Sequence, residues 1–279
     1  MTPARLDLLA VLPLVLAVAV GCGDKSGDTG HADGAGTGSD DGSGTGSGDG
    51  AGSGGGTGDA GGGAGDGGEG TGDDGGVDLP LDGLGTLSGD CDVIDTELTD
   101  ASPSLFVNTL DFGTTAFDRA LLSEGGQAIH DAGNLGGSSL YSEIFAYEVL
   151  YRCELATLLE TEADIVYTDP NGKKTDFLVE LDGETIGVSV TRAFAWPPED
   201  PYTVEQATEL LTDKLGDVQL SSANVGAEHA WRKQVLSVIA YTPDHATSIV
   251  GAWDALDAAV RADTIVLVTV TEGDDEALY

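Results

Sequence analysis

The chain has 279 residues, and its 49 Asp and Glu outnumber 11 Lys and Arg to give a formal net charge of −38. This balance makes nucleic acid a doubtful partner, because proteins that hold phosphate backbones normally do so through a basic surface. The same acidity is typical of a protein that needs high solubility or works in a saline environment.

The N-terminus has the layout of a secretory signal. Residues 8–20 form an apolar run after Arg5, too short for a membrane-spanning helix, which needs about 20 apolar residues. The run ends in AVGC at 19–22, which resembles the lipobox of bacterial lipoproteins. The resemblance implies that residues 1–21 are a signal peptide and that Cys22 is lipidated, with palmitate among its acyl chains. An ordinary secretory signal cleaved nearby is the alternative.

A lipid on Cys22 would make the membrane itself a partner of this protein. We therefore expect an extracytoplasmic protein anchored in the cell envelope, and Gly23 after Cys22 favours the outer membrane over the inner one. Residues 22–89 consist almost entirely of Gly, Asp, Ser, Thr and Ala. Such a segment buries too little apolar surface to offset the entropy of ordering, so we expect a disordered linker.

Residues 90–279 have the length of one domain with a sizeable core. They carry nine Lys and Arg against 35 Asp and Glu, a net of −26. Apolar spacing and turn residues predict an α/β fold with a mixed central sheet flanked by helices. In chain order we predict short helices over 102–132 interrupted at Gly125-Gly126, a long helix over 139–160, strands over 163–168, 174–181 and 185–194, a capped helix from 203 to about 215, helices over 228–241 and 245–261, and a central strand over 263–270.

Two cysteines remain once Cys22 is assigned to lipid. Cys91 and Cys153 are an even pair, as expected of a disulfide in an oxidising compartment. The alternative is that Cys153 is a buried helical thiol and Cys91 is free, because sequence spacing gives no geometry.

Strand alternation suggests which polar residues share a site. It places Lys174, Asp176 and Glu180 on one face of their strand, and Ser189 and Thr191 on one face of the next. The long helix before these strands carries Glu143. Each carboxylate also has a structural alternative, as a polar strand edge or as a helix-start acid favoured by the helix dipole.

The order of a Glu-bearing helix, an Asp-bearing strand and a further strand resembles the PD-(D/E)XK nuclease-like superfamily over residues 138–271. The strings SEIFAYEVLYRCELATLLETE, KTDFLVE, GVSVTRA, KQVLSVIAY and TIVLVTV are similar to those of an uncharacterised group within it. The resemblance implies a restriction-endonuclease-like fold. It also implies that Glu143 and Asp176 are metal ligands, and that Gln234 and Tyr241 form a Gln…Tyr pair on a later helix.

The same resemblance puts Ser189 and Thr191 where the superfamily has an acid and a lysine. Cleavage of phosphodiesters with Mg²⁺ or Mn²⁺ needs several carboxylates and a cation, so the motif is degraded unless Glu180 and Lys174 compensate. We therefore expect a catalytically silent domain used for binding or structure. The alternatives are a divergent metal-dependent nuclease and a module that recognises another envelope protein, such as a basic one drawn by the acidic field.

Overall fold

The computed structural model describes residues 79–134, 139–197 and 200–279. The predictions made for residues 1–78, namely the signal peptide, the lipidated Cys22 and most of the linker, lie outside the described residues. No helix within the described ranges is long and apolar enough to span a bilayer.

The described residues form one sheet with helices on both faces. Its strands are β1 (Thr86–Gly89), β2 (Ser104–Asp111), β3 (Thr157–Thr161), β4 (Phe177–Leu181), β5 (Glu184–Ala193), β6 (Lys233–Ala240) and β7 (Ile265–Glu272). The α-helices are α1 (Glu124–Ala132), α2 (Leu140–Glu154), α3 (Val204–Asn224), α4 (Pro243–Ala255) and α5 (Ala258–Arg261). Short 3-10 helices lie at Thr96–Leu98, Arg119–Leu121 and Glu276–Leu278.

The strand order in the sheet is β1-β2-β7-β6-β5-β4-β3. The central strands β2, β7, β6 and β5 run parallel, whereas β1 joins one side and β4 and β3 the other side by antiparallel pairing. One apolar core lies on the side of α1 and α2, and a second lies on the side of α3 and α4. The prediction of a mixed α/β sheet flanked by helices is therefore confirmed.

Several local signals are confirmed at the residues that carry them. Thr203 and Gln206 form a capping box at the start of α3, although the helix continues to Asn224 rather than ending near 215. Asp182 and Gly183 form the turn between β4 and β5 with φ values of 51° and 77°, the left-handed pair that a two-residue type I′ hairpin requires. β7 is buried at seven of its eight residues, as predicted for a central strand.

The helix predicted over 228–241 is wrong. The segment contains β6, and all eight residues of that strand are buried. A strand covered on both faces has a continuous apolar sequence, and such a run does not distinguish a strand from a buried helix. Gln234 consequently lies near the start of a strand and Tyr241 just after its end, so they are not a pair on one helix.

The elements predicted on either side of α2 are also partly wrong. Part of the helical region predicted over 102–132 is β2, which pairs in parallel with β7, more than 150 residues later in the chain. The long helix ends at Glu154 because Leu155 adopts a left-handed conformation with φ 56°. The strand that follows is β3, whereas the strand predicted over 163–168 does not form.

Gly125 and Gly126 do not interrupt a helix but lie in the first turn of α1. A Cβ atom at Gly125 would lie 2.2 Å from the hydroxyl of Tyr147, and one at Gly126 would lie 2.1 Å from a carboxylate oxygen of Glu148. Both partners are on α2, so the two glycines allow α1 to pack closely against it.

The folded domain begins before Asp90, the predicted boundary. β1 falls inside the segment expected to be linker, and Leu84 and Leu87 are buried in the core on the α2 side. We call residues 79–95 the N-terminal strap. Its position explains the early start, because a segment that pairs in the sheet and contributes core residues is part of the domain.

Three consecutive residues of α2 hold the N-terminal strap. Arg152 donates to the carbonyl oxygens of Leu81, Leu84 and Gly85 at 2.8, 2.7 and 3.0 Å. Cys153 forms a disulfide with Cys91, with their Cα atoms 4.8 Å apart. Glu154 accepts hydrogen bonds from the backbone N–H groups of Val93 and Ile94 at 3.2 and 3.1 Å. The alternative of two free thiols is therefore excluded in this structure.

Candidate functional site

The candidate site lies at the C-terminal half of β5, which does not pair with β4. β4 pairs with residues 184–188 of β5, so residues 189–193 have β6 on one side and no strand on the other among the described residues. α2 contacts one face of β5 and α3 contacts the other. The result is an open sheet edge between two helices, close to the point where Asp176 enters β4.

Asp176 is the central acid of this edge. It lies immediately before β4, half-buried, and its Oδ2 accepts a hydrogen bond from the backbone N–H of Val190 at 2.6 Å. Burial, reinforced by the charges of Glu143 and Glu162, raises the pKa of Asp176 to about 7, against the opposing effects of Val190 and Lys214. A carboxyl with this pKa is close to half-protonated at neutral pH.

Glu143 supplies the second acid from α2. Glu143 is 3% exposed, and its Oε1 accepts a hydrogen bond from the hydroxyl of Ser139 at 2.8 Å. Burial raises the pKa of Glu143; the bond from Ser139 opposes this, and the charge of Glu162 adds to it. Glu143 and Asp176 are thus two buried or half-buried carboxyls, and the charge of Glu143 raises the pKa of Asp176.

Two residues of this electrostatic environment were missed by the sequence reading. Glu162 follows β3 directly, and Lys214 lies in the middle of α3; both act on Asp176. Neither residue was assigned a role from the sequence. Glu162 lies between the helix predicted over 139–160 and the strand predicted over 163–168, and Lys214 looks like any charge on the solvent face of an amphipathic helix.

The packing of β5 shows which of its two faces lies on the α2 side. Ile186 and Val188 are part of the core on the α2 side, and Val190 packs against that core. Ser189 and Thr191 therefore point to the opposite side, and the hydroxyl of Ser189 lies 3.0 Å from that of Thr175. The β5 side chains on the face that carries Glu143 are Val190 and Arg192.

Arg192 is already engaged in holding the end of the chain. Its Nη1 donates to the carbonyl oxygen of Leu278 at 2.5 Å. Leu278 belongs to the last 3-10 helix and is buried in the core on the α2 side. The guanidinium of Arg192 therefore binds the carbonyl oxygen of Leu278 beside the open sheet edge.

Glu180 and Lys174 do not join the site. Glu180 is exposed near the other end of β4, opposite Thr157 on β3 and Thr185 on β5. Lys174 is exposed, and its ammonium group lies 5.8 Å from the ring centroid of Tyr167. Neither is among the charges that shift the pKa of Asp176, so the structure gives no support to compensation by these two residues.

Aromatic side chains follow the carboxyl ends of β5 and β6. We call Phe194, Trp196, Tyr241 and Tyr279 the aromatic cluster. Phe194 stacks on Tyr279 with ring centroids 5.2 Å apart and meets Tyr241 edge-on at 5.5 Å. Trp196 lies 6.4 Å from Phe194 and is 80% exposed. Tyr241 thus belongs to this cluster rather than to the predicted helix pair.

A cavity of about 330 Å³ opens beside the aromatic cluster. Arg192 and Phe194 line it from β5 and the residue that follows the strand, and Tyr202 lines it from the segment before α3. The remaining lining residues are on α3: Gln206, Glu209, Leu210, Asp213 and Lys214. Its walls therefore combine aromatic surface with charges of both signs.

The donor set does not fit a two-metal centre. Within the described ranges, no three His, Cys, Asp or Glu side chains are grouped so as to hold a metal ion. Glu143 and Asp176 each use a carboxylate oxygen to accept a hydrogen bond from the protein. Mg²⁺ and Mn²⁺ prefer about six oxygen ligands, and two-metal sites draw several of them from carboxylates.

The chain resembles a known protein over about half of its length. No family model matches it, and no solved structure matches it. A similar protein is the AAC-rich mRNA clone AAC4 protein of Dictyostelium discoideum, which is 38% identical over 154 residues, or 53% of this chain. The match covers only 22% of that relative's length, and its name states no activity.

Proposed function

We propose that this protein is a lipid-anchored lipoprotein of the cell envelope whose folded domain keeps a PD-(D/E)XK-like arrangement and uses it for binding rather than for phosphodiester cleavage. The observation that carries the proposal is the presence of Val190 and Arg192 on the β5 face nearest Glu143. The resemblance to the superfamily leads us to expect an acid and a lysine on that face.

Neither side chain can replace the expected pair. Val190 offers no side-chain oxygen, and its backbone N–H occupies one oxygen of Asp176. Arg192 brings a planar guanidinium group in place of the ammonium group of a lysine, and the two groups are not interchangeable at a catalytic position. The net charge of −26 over residues 90–279 further disfavours a polyanionic substrate.

A divergent metal-dependent nuclease or phosphodiesterase is the second candidate. It is favoured by the pKa of Asp176, which is raised to about 7, because carboxyls with strongly perturbed pKa values concentrate at functional sites. Under this alternative Glu143 and Asp176 would supply the carboxylate ligands of Mg²⁺ or Mn²⁺.

A cleavage assay separates the two candidates. The full-length chain, its Asp176→Ala variant and a Glu180→Ala control would be incubated with supercoiled DNA, single-stranded DNA and RNA in Mg²⁺ and in Mn²⁺. We expect no cleavage, and no heat of metal binding that depends on Asp176. Cleavage that disappears in Asp176→Ala and persists in Glu180→Ala would instead establish the enzyme, because only Asp176 lies at the candidate site.

The anchor has its own test. Expression in a bacterium fed with an alkyne-bearing palmitate should label the parent chain and leave a Cys22→Ser variant unlabelled. The parent should also fractionate with membranes, most of it with the outer membrane. A labelled Cys22→Ser variant, or an unlabelled parent, would contradict the proposed lipidation.

A further inference from the structure

We infer that the cavity beside the aromatic cluster binds an uncharged saccharide, with one pyranose ring stacked on Trp196. The inference rests on the proposal that the folded domain works by binding, and it supplies the class of ligand. The cavity is distinct from the Glu143–Asp176 pair, although Lys214 on its wall also acts on Asp176.

Trp196 is the first observation. Its residue is 80% exposed, the largest exposed fraction among the bulky apolar residues of the described chain. Exposing so large an apolar ring to water costs free energy that a ligand would recover on covering it. The C–H face of a pyranose ring is a suitable cover, because its weakly positive hydrogens meet the negative face of the aromatic ring.

Trp196 lies beside an ordered part of the aromatic cluster. Phe194, whose ring centroid is 6.4 Å from that of Trp196, is fixed by a stacked contact with Tyr279 and an edge contact with Tyr241. Those two tyrosines also contact each other, with centroids 4.7 Å apart. A preorganised aromatic surface loses little entropy when it binds a ligand.

The cavity next to this platform has the polar groups that hydroxyls need. Glu209 and Asp213 provide acceptors, and Lys214 provides a donor. Its volume of about 330 Å³ lies at the lower end of the range of small-molecule sites. Sugar hydroxyls both donate and accept, so a wall with acceptors and donors suits them better than it suits an apolar or singly charged ligand.

Tyr202 lines both this cavity and a second one that His245 also lines. It is 8% exposed, and its hydroxyl has no hydrogen-bond partner within the described residues. An unpaired buried hydroxyl costs stability, and most such groups in native proteins have a partner. A small adjustment of the Tyr202 ring toward the cavity would let a sugar hydroxyl serve as that partner.

The negative charge of the folded domain favours an uncharged ligand over an anionic one. Residues 90–279 carry a net charge of −26, which would repel sulfated or phosphorylated polysaccharides. A neutral oligosaccharide is not repelled, and its affinity should depend little on salt concentration.

The test uses the full-length chain and three neutral probes, cellohexaose, N-acetylchitohexaose and maltohexaose, with a heparin hexasaccharide as the charged comparison. Binding would be measured by titration calorimetry and by tryptophan fluorescence at sugar concentrations up to the millimolar range. We expect one neutral probe to bind in that range, Trp196→Ala to weaken it at least about tenfold, and Tyr202→Phe to weaken it about threefold. Trp231→Phe, which changes a tryptophan packed on Gly187, should leave the affinity unchanged.

The outcomes are distinguishable from those of the cleavage assay. Absence of binding to all neutral probes, equal binding by Trp196→Ala, or tighter binding of the heparin fragment would overturn the saccharide inference. If cleavage is also absent, the proposal of a catalytically silent domain still stands. Metal-dependent cleavage that needs Asp176 would overturn that proposal whatever the sugars do.

Discussion

The two ends of α2 treat their buried charges differently. At the C-terminal end, Arg152 and Glu154 each bond to backbone groups of the N-terminal strap, and Glu148 accepts from the backbone and hydroxyl of Ser123. At the N-terminal end, Glu143 bonds to the Ser139 hydroxyl and lies near the acids Asp176 and Glu162. The buried charges at the C-terminal end bond to the N-terminal strap and stabilise the fold. Those at the N-terminal end lie near other carboxyls at the open sheet edge.

This contrast shows what burial of a charge does and does not imply. A buried ion whose hydrogen-bonding capacity is met by fixed backbone groups is a structural element, and its loss destabilises the protein. A buried carboxyl beside other carboxyls costs free energy when ionised, and such an arrangement is typical of a functional site. Both kinds of residue look alike in the sequence of α2.

Removing the contacts between the C-terminal end of α2 and the N-terminal strap should have the largest effect on stability. Arg152→Met should lower the free energy of unfolding by about 3–5 kcal/mol, because it leaves three backbone carbonyl groups of the N-terminal strap without their donor. Urea denaturation of the full-length chain measures this. The strap should also become sensitive to protease under native conditions.

Arg232→Met is the matched control for that experiment. Arg232 is half-exposed and lies 3.7 Å from Glu184, a surface ion pair whose loss should cost less than about 1 kcal/mol. Equal destabilisation by the two substitutions would show that Arg152 holds the strap no more firmly than a surface contact.

Removing the disulfide between Cys91 and Cys153 should have the next largest effect on stability. Cys153→Ser should lower the free energy of unfolding by about 4 kcal/mol, because the bridge to Cys91 constrains the unfolded chain over a separation of 62 residues. Cys91→Ser should have the same effect, and the double variant no more than either alone. A parent protein whose stability is unchanged by reductant would argue against the bridge.

At the N-terminal end of α2, removing a charge should stabilise the protein rather than destabilise it, and the effect should depend on pH. The pKa of Asp176 is raised from 3.8 to about 7, so the folded state loses stability as pH rises from about 4 to about 7. A shift of this size corresponds to about 4 kcal/mol, and we take about half because the carboxyl is partly exposed to solvent. Asp176→Asn should therefore be about 2 kcal/mol more stable than the parent at pH 8 and equally stable at pH 4.

Two controls sharpen this result. Glu180→Gln removes an exposed carboxylate from β4, so its stability relative to the parent should be the same at both pH values. Glu143→Gln should lower the pKa of Asp176 in a carboxyl NMR titration, because it removes the like charge with the largest effect on that pKa. An unchanged pKa of Asp176 in Glu143→Gln would mean that the charge of Glu143 does not contribute to the shift.

Several elements were predictable because their signals are local. The capping box of Thr203 and Gln206 and the Asp182-Gly183 turn depend on residues at most three positions apart. The wrong elements depend on distant partners. β2 is a strand because β7 pairs with it, and β6 is a strand because β5 and β7 flank it. An apolar segment acquires its conformation from such neighbours when its own pattern fits both helix and strand.

The candidate site follows the same division. Glu143 and Asp176 were identified from the order of their elements, and the structure brings their charges together. Ser189 and Thr191 share one face of β5, as the alternation predicts, but the sequence did not show that this face lies away from Glu143. A one-residue change of phase reverses every side chain of a strand, and only the packing of Val188 and Val190 against the α2 core reveals the phase.

The sequence by itself determined the acidic composition, the α/β class, the hairpin turn, the cap of α3 and the pair of cysteines available for a bridge, because each is a property of single residues or close neighbours. The tertiary structure decided that the domain starts before β1, that Cys91 meets Cys153, and that Val190 and Arg192 face Glu143. These features join residues tens of positions apart, and their closeness is set by packing of the whole core rather than by any local preference.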